Sequence, residues 1–528
     1  SQVETYLNPL LKDLSDPFLL PDMDVAVRRL WRAIDNREMI TVFGDYDVDG
    51  VTSSALLTRV LSTLGGRVQP FIPDRMDEGY GLSQEALARC LEEYESSVVV
   101  SVDCGVNSVE SVRWAQEKGV DVIVTDHHEP EEETASAFAL INPKLGSAPD
   151  LKNLSGVGVA FKLAHGLLKV GRDQGRSVTE KLDLKCLLDI AALGTVADVV
   201  PLVGENRIIV RHGLACLDKT RWVGLQALKE VSGVKGDPNT YHLGFQLGPR
   251  INAAGRIGQP MQALHLLLTE DKSDAYRIAK LLDDTNTERR RIEGEMAEEA
   301  FAEIDSYFNP EKHFGLVVTK KGWHPGVVGI VASRVARHYN RPSIVMGIEE
   351  DGSARGSCRS VDEYNILDGL ESCSEHLTKF GGHKMAAGLE VKPGEVDVFR
   401  KAFNRAVKSV LHEYDLTPSQ HIDAVISEEQ LDWSFYEHLR NLRPFGQNNP
   451  EPIWALKNVQ IASKRSVGKN HLKLVVKSGI QSFNAIAFNY PIDKLPSGNL
   501  DIAFTLQENN WNGNSSLQLQ VKDIRIHA

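Results

Sequence analysis

The 528-residue chain has only six cysteines (Cys90, Cys104, Cys186, Cys216, Cys358 and Cys373). No two are spaced as CxxC, which excludes a zinc ribbon and argues for the reduced thiols of a cytoplasm. No apolar run approaches the ~20 residues of a membrane span, so no membrane partner is expected. The start, "SQVETYLNPLLKDL", has neither the basic stretch nor the apolar core of a signal peptide, and no initiator Met. Repeats and low-complexity tracts are also lacking. Nor is there a basic excess: 59 Lys and Arg against 72 Asp and Glu give a net charge of −13. Proteins that cover phosphates are usually basic, so nucleic-acid binding here requires the basic residues to be gathered in a groove. Part of the acidity is then available as metal ligands. What is present, 42% apolar and 25% charged residues, fits a globular chain of several domains.

From Met39 to Asn142 short apolar strands ("MITVF", "VQPFIP", "SVVVSV", "DVIVT", "FALIN") alternate with amphipathic helices, which predicts a parallel, doubly wound sheet. Helices dominate 157–310 and end in a highly charged stretch that reads as a long exposed connecting helix. A second α/β region follows, then five β-rich runs, the pattern of a small OB-like barrel. The fold class is thus α/β: a parallel-sheet domain, a long helix, a second α/β domain and a C-terminal barrel. The expected boundaries are 1–205, 206–310, 311–413 and 414–528, and a cut near Glu413 is expected to leave both α/β lobes intact.

Ligands of open parallel sheets gather at the carboxyl ends of the strands. Three polar groups fall there: Asp45, Asp47 and Asp49; Asp103; and Asp126, His127 and His128. "ALGTVADVVPL" adds Asp198 in an apolar setting, where an unpaired carboxylate is costly. Any one Asp reads as a cap or a turn. Together at one sheet edge they read as an oxygen-rich site with some nitrogen, suited to Mn²⁺ or Mg²⁺.

The motifs "DYDVDG", "VDCG", "VTDHH" and "GTVADVVPL", in this order, resemble those of the DHH phosphoesterase superfamily, and "GGHKMAAG" at 381–388 resembles its DHHA1 companion domain. "GPRINAAGRIG", "GWHPGVVGIVASRV", "RGSCRS" and "LRPFGQNNPEP" are similar to stretches of the RecJ family within it, bacterial 5′→3′ exonucleases specific for single-stranded DNA. The likeness covers nearly the whole chain. Cys358 departs from it, standing where the family often has Gly, and the chain begins close to the first sheet, so that part of the family's leading segment is expected to be missing.

The resemblance implies two Mn²⁺ or Mg²⁺ ions gripping a phosphodiester for in-line displacement. Asp47, with Asp45 as a further candidate, would hold one ion. Asp49, His127 and Asp198 would hold the other, and Asp103 would bridge. His128 reads as a phosphate contact, with metal ligation the open alternative. A 5′-phosphate stop would draw on Gly381, Gly382 and His383, on Ser357 and Arg359, and on Arg75, Arg250, Asn252 and Arg256, across a cleft too narrow for duplex.

In the barrel Lys464, Arg465, Lys469, His471 and Lys473 are dense. Phe483, Phe488 and Trp511 could stack bases; core packing is the better reading for Phe483 and Phe488, and Trp511 reads as a loop tip. The expected function is metal-dependent degradation of single-stranded DNA to mononucleotides in repair and recombination. Likeness alone adds a single-strand-binding protein (SSB) and a RecQ-type helicase as partners. A small-substrate phosphoesterase (oligoribonuclease, pAp phosphatase or cyclic-dinucleotide phosphodiesterase) would not need residues 414–528. A catalytically dead replication scaffold would have lost ligands that are all present.

Overall fold

The computed structural model describes residues 2–74, 81–468, 470–511 and 514–527. Arg75 and Lys469 lie outside these residues, as does the side chain of Trp511. Five strands, β1 (Met39–Gly44), β2 (Arg67–Phe71), β3 (Val98–Val102), β4 (Asp121–Thr125) and β5 (Ala139–Ile141), form an all-parallel sheet in the order β2-β1-β3-β4-β5. The inner strands are almost wholly buried and rich in Val and Ile because helices cover both faces. Helices α1 (Met23–Asn36), α2 (Val48–Thr63), α3 (Gln84–Tyr94), α4 (Val109–Glu117), α5 (Gly156–Asp173), α6 (Leu188–Ala197) and α7 (Gly204–Asp218) surround it. Phe43, Val99, Val122 and Val124 meet Leu87, Cys90 and Val112 of α3 and α4 in one core. On its other sides α2 packs against α5 and α6, so nearly its whole surface is buried.

The chain falls into two compact units, residues 1–248, 267–270 and 420–528 forming one, and 249–266 and 271–419 the other. In the second, β6 (Leu316–Lys321), β7 (Ser343–Ile348), β8 (Ala354–Arg359), β9 (Leu377–His383) and β10 (Ala386–Val391) make a mixed sheet in the order β6-β7-β8-β10-β9. The charged stretch is one helix of 36 residues, α8 (Lys272–Tyr307). It differs from the expected exposed connector. Ala275, Ile278, Ala279 and Leu282, then Met296, Ala297, Ala300 and Ile304, recur at helical spacing and are buried. The second set packs with Val318 of β6 and with Val331 and Val335 of α9 (Val328–Tyr339).

At the C-terminus, β11 (Ala424–Val425), β12 (Trp454–Val467), β13 (His471–Ser478), β14 (Gln481–Ala487), β15 (Leu500–Trp511) and β16 (Asn514–Ile526) form a barrel. The long β12 closes it by pairing with both β13 and β15 across a register shift. The stretch "NLRPFGQNN" before the barrel straps it to the parallel-sheet domain. Arg207 of α7, 2% exposed, donates from Nη1 to Leu442 O at 2.9 Å and from Nη2 to Asn441 O at 3.3 Å. It also bonds Tyr6 O at 3.0 Å and stacks on the Tyr6 ring at 4.0 Å. Leu202 N donates to Gln447 O at 2.8 Å and Thr240 Oγ1 to Phe445 O at 2.8 Å. A cut at Glu413 would strip these acceptors from a buried guanidinium, so the two parts do not separate cleanly there. Among the described residues no helix is long and apolar enough to cross a membrane.

Candidate metal centre

Parallel registry builds the site. Gly44 pairs with Val102 and Val102 with Thr125, so Asp45, Asp103 and Asp126 are the first residues beyond three adjacent strands. The stretch "GDYDVDG" is only half loop. Asp47 is the N-cap of α2 and accepts from Gly50 N at 3.0 Å, which places Asp49 in the first helical turn. The turn is tight: a Cβ on Gly50 would stand 2.3 Å from Asp45 O. Asp103 adopts φ 62, a left-handed conformation unusual for a non-glycine residue, and its N–H bonds Thr125 O at 2.9 Å. Asp198 follows the last turn of α6.

His127 is central. Its Nε2 lies 3.1 Å from Asp103 Oδ1, 3.5 Å from Asp198 Oδ2 and 3.9 Å from Asp49 Oδ2. Three overlapping sets of ligand atoms, each within 4.8 Å, emerge: Asp45, Asp47 and Asp103; Asp49, His127 and Asp198; and Asp103, His127 and His128. Asp103 is shared by the first and third. His127 Nε2, Asp103 Oδ1 and Asp198 Oδ2 are buried without a hydrogen-bond partner. Burial, reinforced by Asp47, pushes Asp49 up to about 7. Burial and the neighbouring carboxylates push Asp103 and Asp198 well up. Burial and the adjacent His128 drive His127 down to about 3, so its ring is a neutral donor of a lone pair. Carboxylates and a neutral imidazole packed together, with orphaned atoms converging, are costly alone and fit hard divalent cations.

Asp126 has a different job. Its Oδ2 accepts from Val106 N at 2.9 Å, and its Oδ1 accepts from His127 N at 2.7 Å and pairs with His128 Nδ1 at 2.7 Å. Although burial opposes it, the His128 bond holds the Asp126 carboxyl below its usual range. The same bond outweighs burial to raise His128. Asp126 therefore orients His128, while Asn142 Nδ2 holds the His128 carbonyl at 2.9 Å. Sequence reasoning also missed Gly156. At the start of α5, Gly156 N and Val157 N donate to the two Asp49 oxygens at 2.6 and 2.8 Å. The signal was "LSGVGVAF", a Ser N-cap before glycines and an apolar run.

In the second unit, registry assembles another set. Arg359 pairs with Ala386, and Ala386 with His383; Ser357 pairs with Gly388, and Gly388 with Gly381. Ser357, Arg359, Gly381 and His383 therefore share one sheet face, with small residues between them. Cys358, Ala387 and Gly382 alternate onto the other face, where the Cys358 side chain is buried in the core. Arg359 Nη1 donates to Ser357 Oγ at 2.7 Å. Both groups lie against the first turn of α9: a Cβ on Gly329 would stand 3.2 Å from Arg359 Nη2 and 3.2 Å from Ser357 Oγ. Arg256 joins them by donating to Gly326 O at 3.1 Å. Arg250 instead pairs with Asp283 at 2.9 Å, and Asn252 is half-buried on the same helix. Gly382 has φ 146, and His383 is exposed at the end of β9.

On the barrel Arg465 sits directly across from Lys473 in the β12–β13 ladder, and Lys464 is exposed beside it. Like charges placed opposite repel, and an anion relieves them. His471 is edge-on to Phe488 at 5.2 Å. Phe483 packs on the barrel core as expected. Phe488 does not: it is 49% exposed, because β14 ends at Ala487 and the inward alternation ends with it.

A parallel sheet with an Asp-rich carboxyl edge, a second mixed sheet and a barrel define a DHH phosphoesterase with an added OB domain. Three family models match: "DHH family, N-terminal domain" over 39–195, "DHHA1 domain" over 313–409 and "RecJ OB domain" over 422–523. The chain is 38% identical to the single-stranded-DNA-specific exonuclease RecJ of Dickeya dadantii, across 97% of this chain and 92% of that protein. It is also 38% identical to the Bacillus subtilis RecJ, covering 97% of itself but 64% of that longer relative. The crystal structure of RecJ in complex with Mn²⁺ from Thermus thermophilus superposes with a TM-score of 0.84 at 32% identity, over 99% of this chain and 74% of that one. The chain belongs to the RecJ family of single-stranded-DNA-specific exonucleases. The OB match and the near-full-length relatives favour that reading over a small-substrate phosphoesterase or a scaffold.

Proposed function

We infer that this chain hydrolyses single-stranded DNA from its 5′ end, releasing mononucleotides, at a centre holding two divalent ions, Mn²⁺ or Mg²⁺. The observation that carries the reading is the convergence of Asp103, His127 and Asp198 atoms, buried and unpaired, with the remaining carboxylates around them. Asp45, Asp47 and Asp103 would hold one ion, and Asp49, His127 and Asp198 the other, with Asp103 bridging. When bound, the ions neutralise charge on the phosphoryl oxygens and favour in-line displacement of the leaving oxygen. The N–H groups of Gly156 and Val157 hold Asp49 in its ligating orientation. Asp126 Oδ1 pairs with His128 Nδ1, which orients the ring and raises the imidazole above its ordinary value, leaving its other nitrogen to face a phosphate oxygen.

Ser357, Arg359 and the first turn of α9 form the anion end, with Arg256 bracing that turn and Gly381, Gly382 and His383 alongside. A guanidinium fork takes two oxygens of a terminal monophosphate at once. Arg250 braces α8 through Asp283, and Asn252 lies two residues further along the helix that carries Arg250. Lys464, Arg465 and Lys473, with Phe488 and His471, would grip the following strand on the barrel. Six free cysteines support a cytoplasmic location. A place in DNA repair and recombination, with SSB and a RecQ-type helicase as protein partners, rests on family likeness alone. The test is release of label from 5′-³²P single strands with Mn²⁺, compared with duplex and with dinucleotides. Mononucleotide release confined to single strands and abolished by chelation supports the reading; cleavage of dinucleotides alone overturns it.

A further inference from the structure

Tyr241 and Phe245 are stacked on each other with ring centroids 5.2 Å apart and planes inclined by 23°. They are nevertheless 58% and 71% exposed, a large apolar surface left to water. Tyr241 leads into, and Phe245 lies on, the π-helical segment His242–Leu247, a feature found frequently at functional sites. The segment is seated on the metal centre's own supports. A Cβ on Gly248 would stand 3.5 Å from Ala197 Cβ, next to Asp198, and 3.7 Å from Val48 Cγ2, between Asp47 and Asp49. A Cβ on Gly244 would stand 3.7 Å from Val196 Cγ1. Val199, the residue after Asp198, is 65% exposed and held at φ 63, a conformation that β-branched residues avoid. Strain maintained at an exposed apolar residue beside a catalytic carboxylate points to use.

We propose that Tyr241 and Phe245 are a stacking platform for an unpaired nucleobase of the strand entering the metal centre. The inference rests on the exonuclease reading and deepens it, adding base contact to a site otherwise built to hold phosphate. The exposed Phe245 face takes the base, and Tyr241 extends the stack behind it. A paired base, covered by its neighbours in the duplex, cannot use the platform, so stacking adds to the preference for single strands.

The test uses 5′-phosphorylated oligonucleotides with Mn²⁺, either unmodified or with a tetrahydrofuran abasic residue at the first, second or third position. Phe245→Ala should raise KM on unmodified strands about tenfold while leaving kcat within twofold, the size of one lost base–aromatic stack. For the wild type, one abasic position should reproduce that rise, and on that substrate Phe245→Ala should add nothing. Phe245→Trp should restore KM, and Tyr241→Ala should give a smaller rise. An unchanged KM in Phe245→Ala overturns the proposal, as does an added loss that is equal on every abasic substrate. If the wild type leaves unmodified single strands intact, the exonuclease reading itself fails, an outcome distinct from cleavage with unmoved variants.

Discussion

Gly156 stands where the metal centre has no room to spare. Its ideal Cβ position lies 2.5 Å from Asp103 Oδ1 and 2.6 Å from Asp103 Cβ, where ordinary contact begins at 3.4 Å. In Gly156→Ala the Asp103 carboxylate must therefore retreat by about 1 Å, or the start of α5 must withdraw and take the donors to Asp49 with it. Asp103 has little freedom to comply, being 2% exposed and fixed in a left-handed conformation by its bond to Thr125. A misplacement of this size costs roughly 100-fold in rate. Alanine also relieves the entropic cost of a helical glycine by about 0.5–1 kcal/mol, which partly offsets the strain in the fold. The expected result is a folded protein with a near-normal metal-free melting temperature, weaker Mn²⁺ binding and kcat/KM on 5′-labelled single strands down about 100-fold. Wild-type turnover and Mn²⁺ affinity in a folded Gly156→Ala would refute the assignment of Asp103 to the centre.

Arg359→Ala should slow cleavage of 5′-phosphorylated strands more than of 5′-hydroxyl strands, about tenfold more for a lost charge-assisted contact; equal losses would make it a fold support. Arg207→Ala should lower stability by about 3 kcal/mol in urea, since it strands the carbonyls of Tyr6, Asn441 and Leu442; a change within the error of the midpoint would mean the strap is dispensable. His165 is held down to about 4 from 6.5, first by burial and then by Lys162. The unfolded chain thus binds the extra proton, so stability is present above pH 6.5 and is lost as pH falls towards 4. His165→Leu should flatten the denaturation midpoint across that window, and an unchanged slope would assign the acid loss to other groups.

Much of the centre was legible because parallel strands announce themselves as Val and Ile runs and end on one edge. Asp45, Asp103 and the "DHH" stretch could be placed there without any contact being known. The division of labour within "DHH" was not legible. Only the backbone donors from Val106, His127 and His128 reveal that Asp126 is occupied as an orienting group. Gly156 was invisible for a similar reason, its role being a close approach across more than fifty residues of chain. Charge alone misled in the long helix, where a thin apolar stripe buried one side of a segment that reads as solvated. The core reading of Phe488 fails because β14 and its inward alternation end at Ala487, one residue before it. Shared faces in the second sheet, such as Arg359 with His383, depend on strand order and register, and a β8-β10-β9 arrangement cannot be read from spacing.

Hydrolysis here depends on a two-ion centre on the carboxyl edge of the parallel sheet. Crystals grown with Mn²⁺ and measured at the manganese absorption edge test it directly. Two anomalous peaks bridged by Asp103 are expected, one against Asp45 and Asp47 and the other against Asp49, His127 and Asp198. A single peak, or peaks that leave Asp103 and His127 uncoordinated, would contradict it.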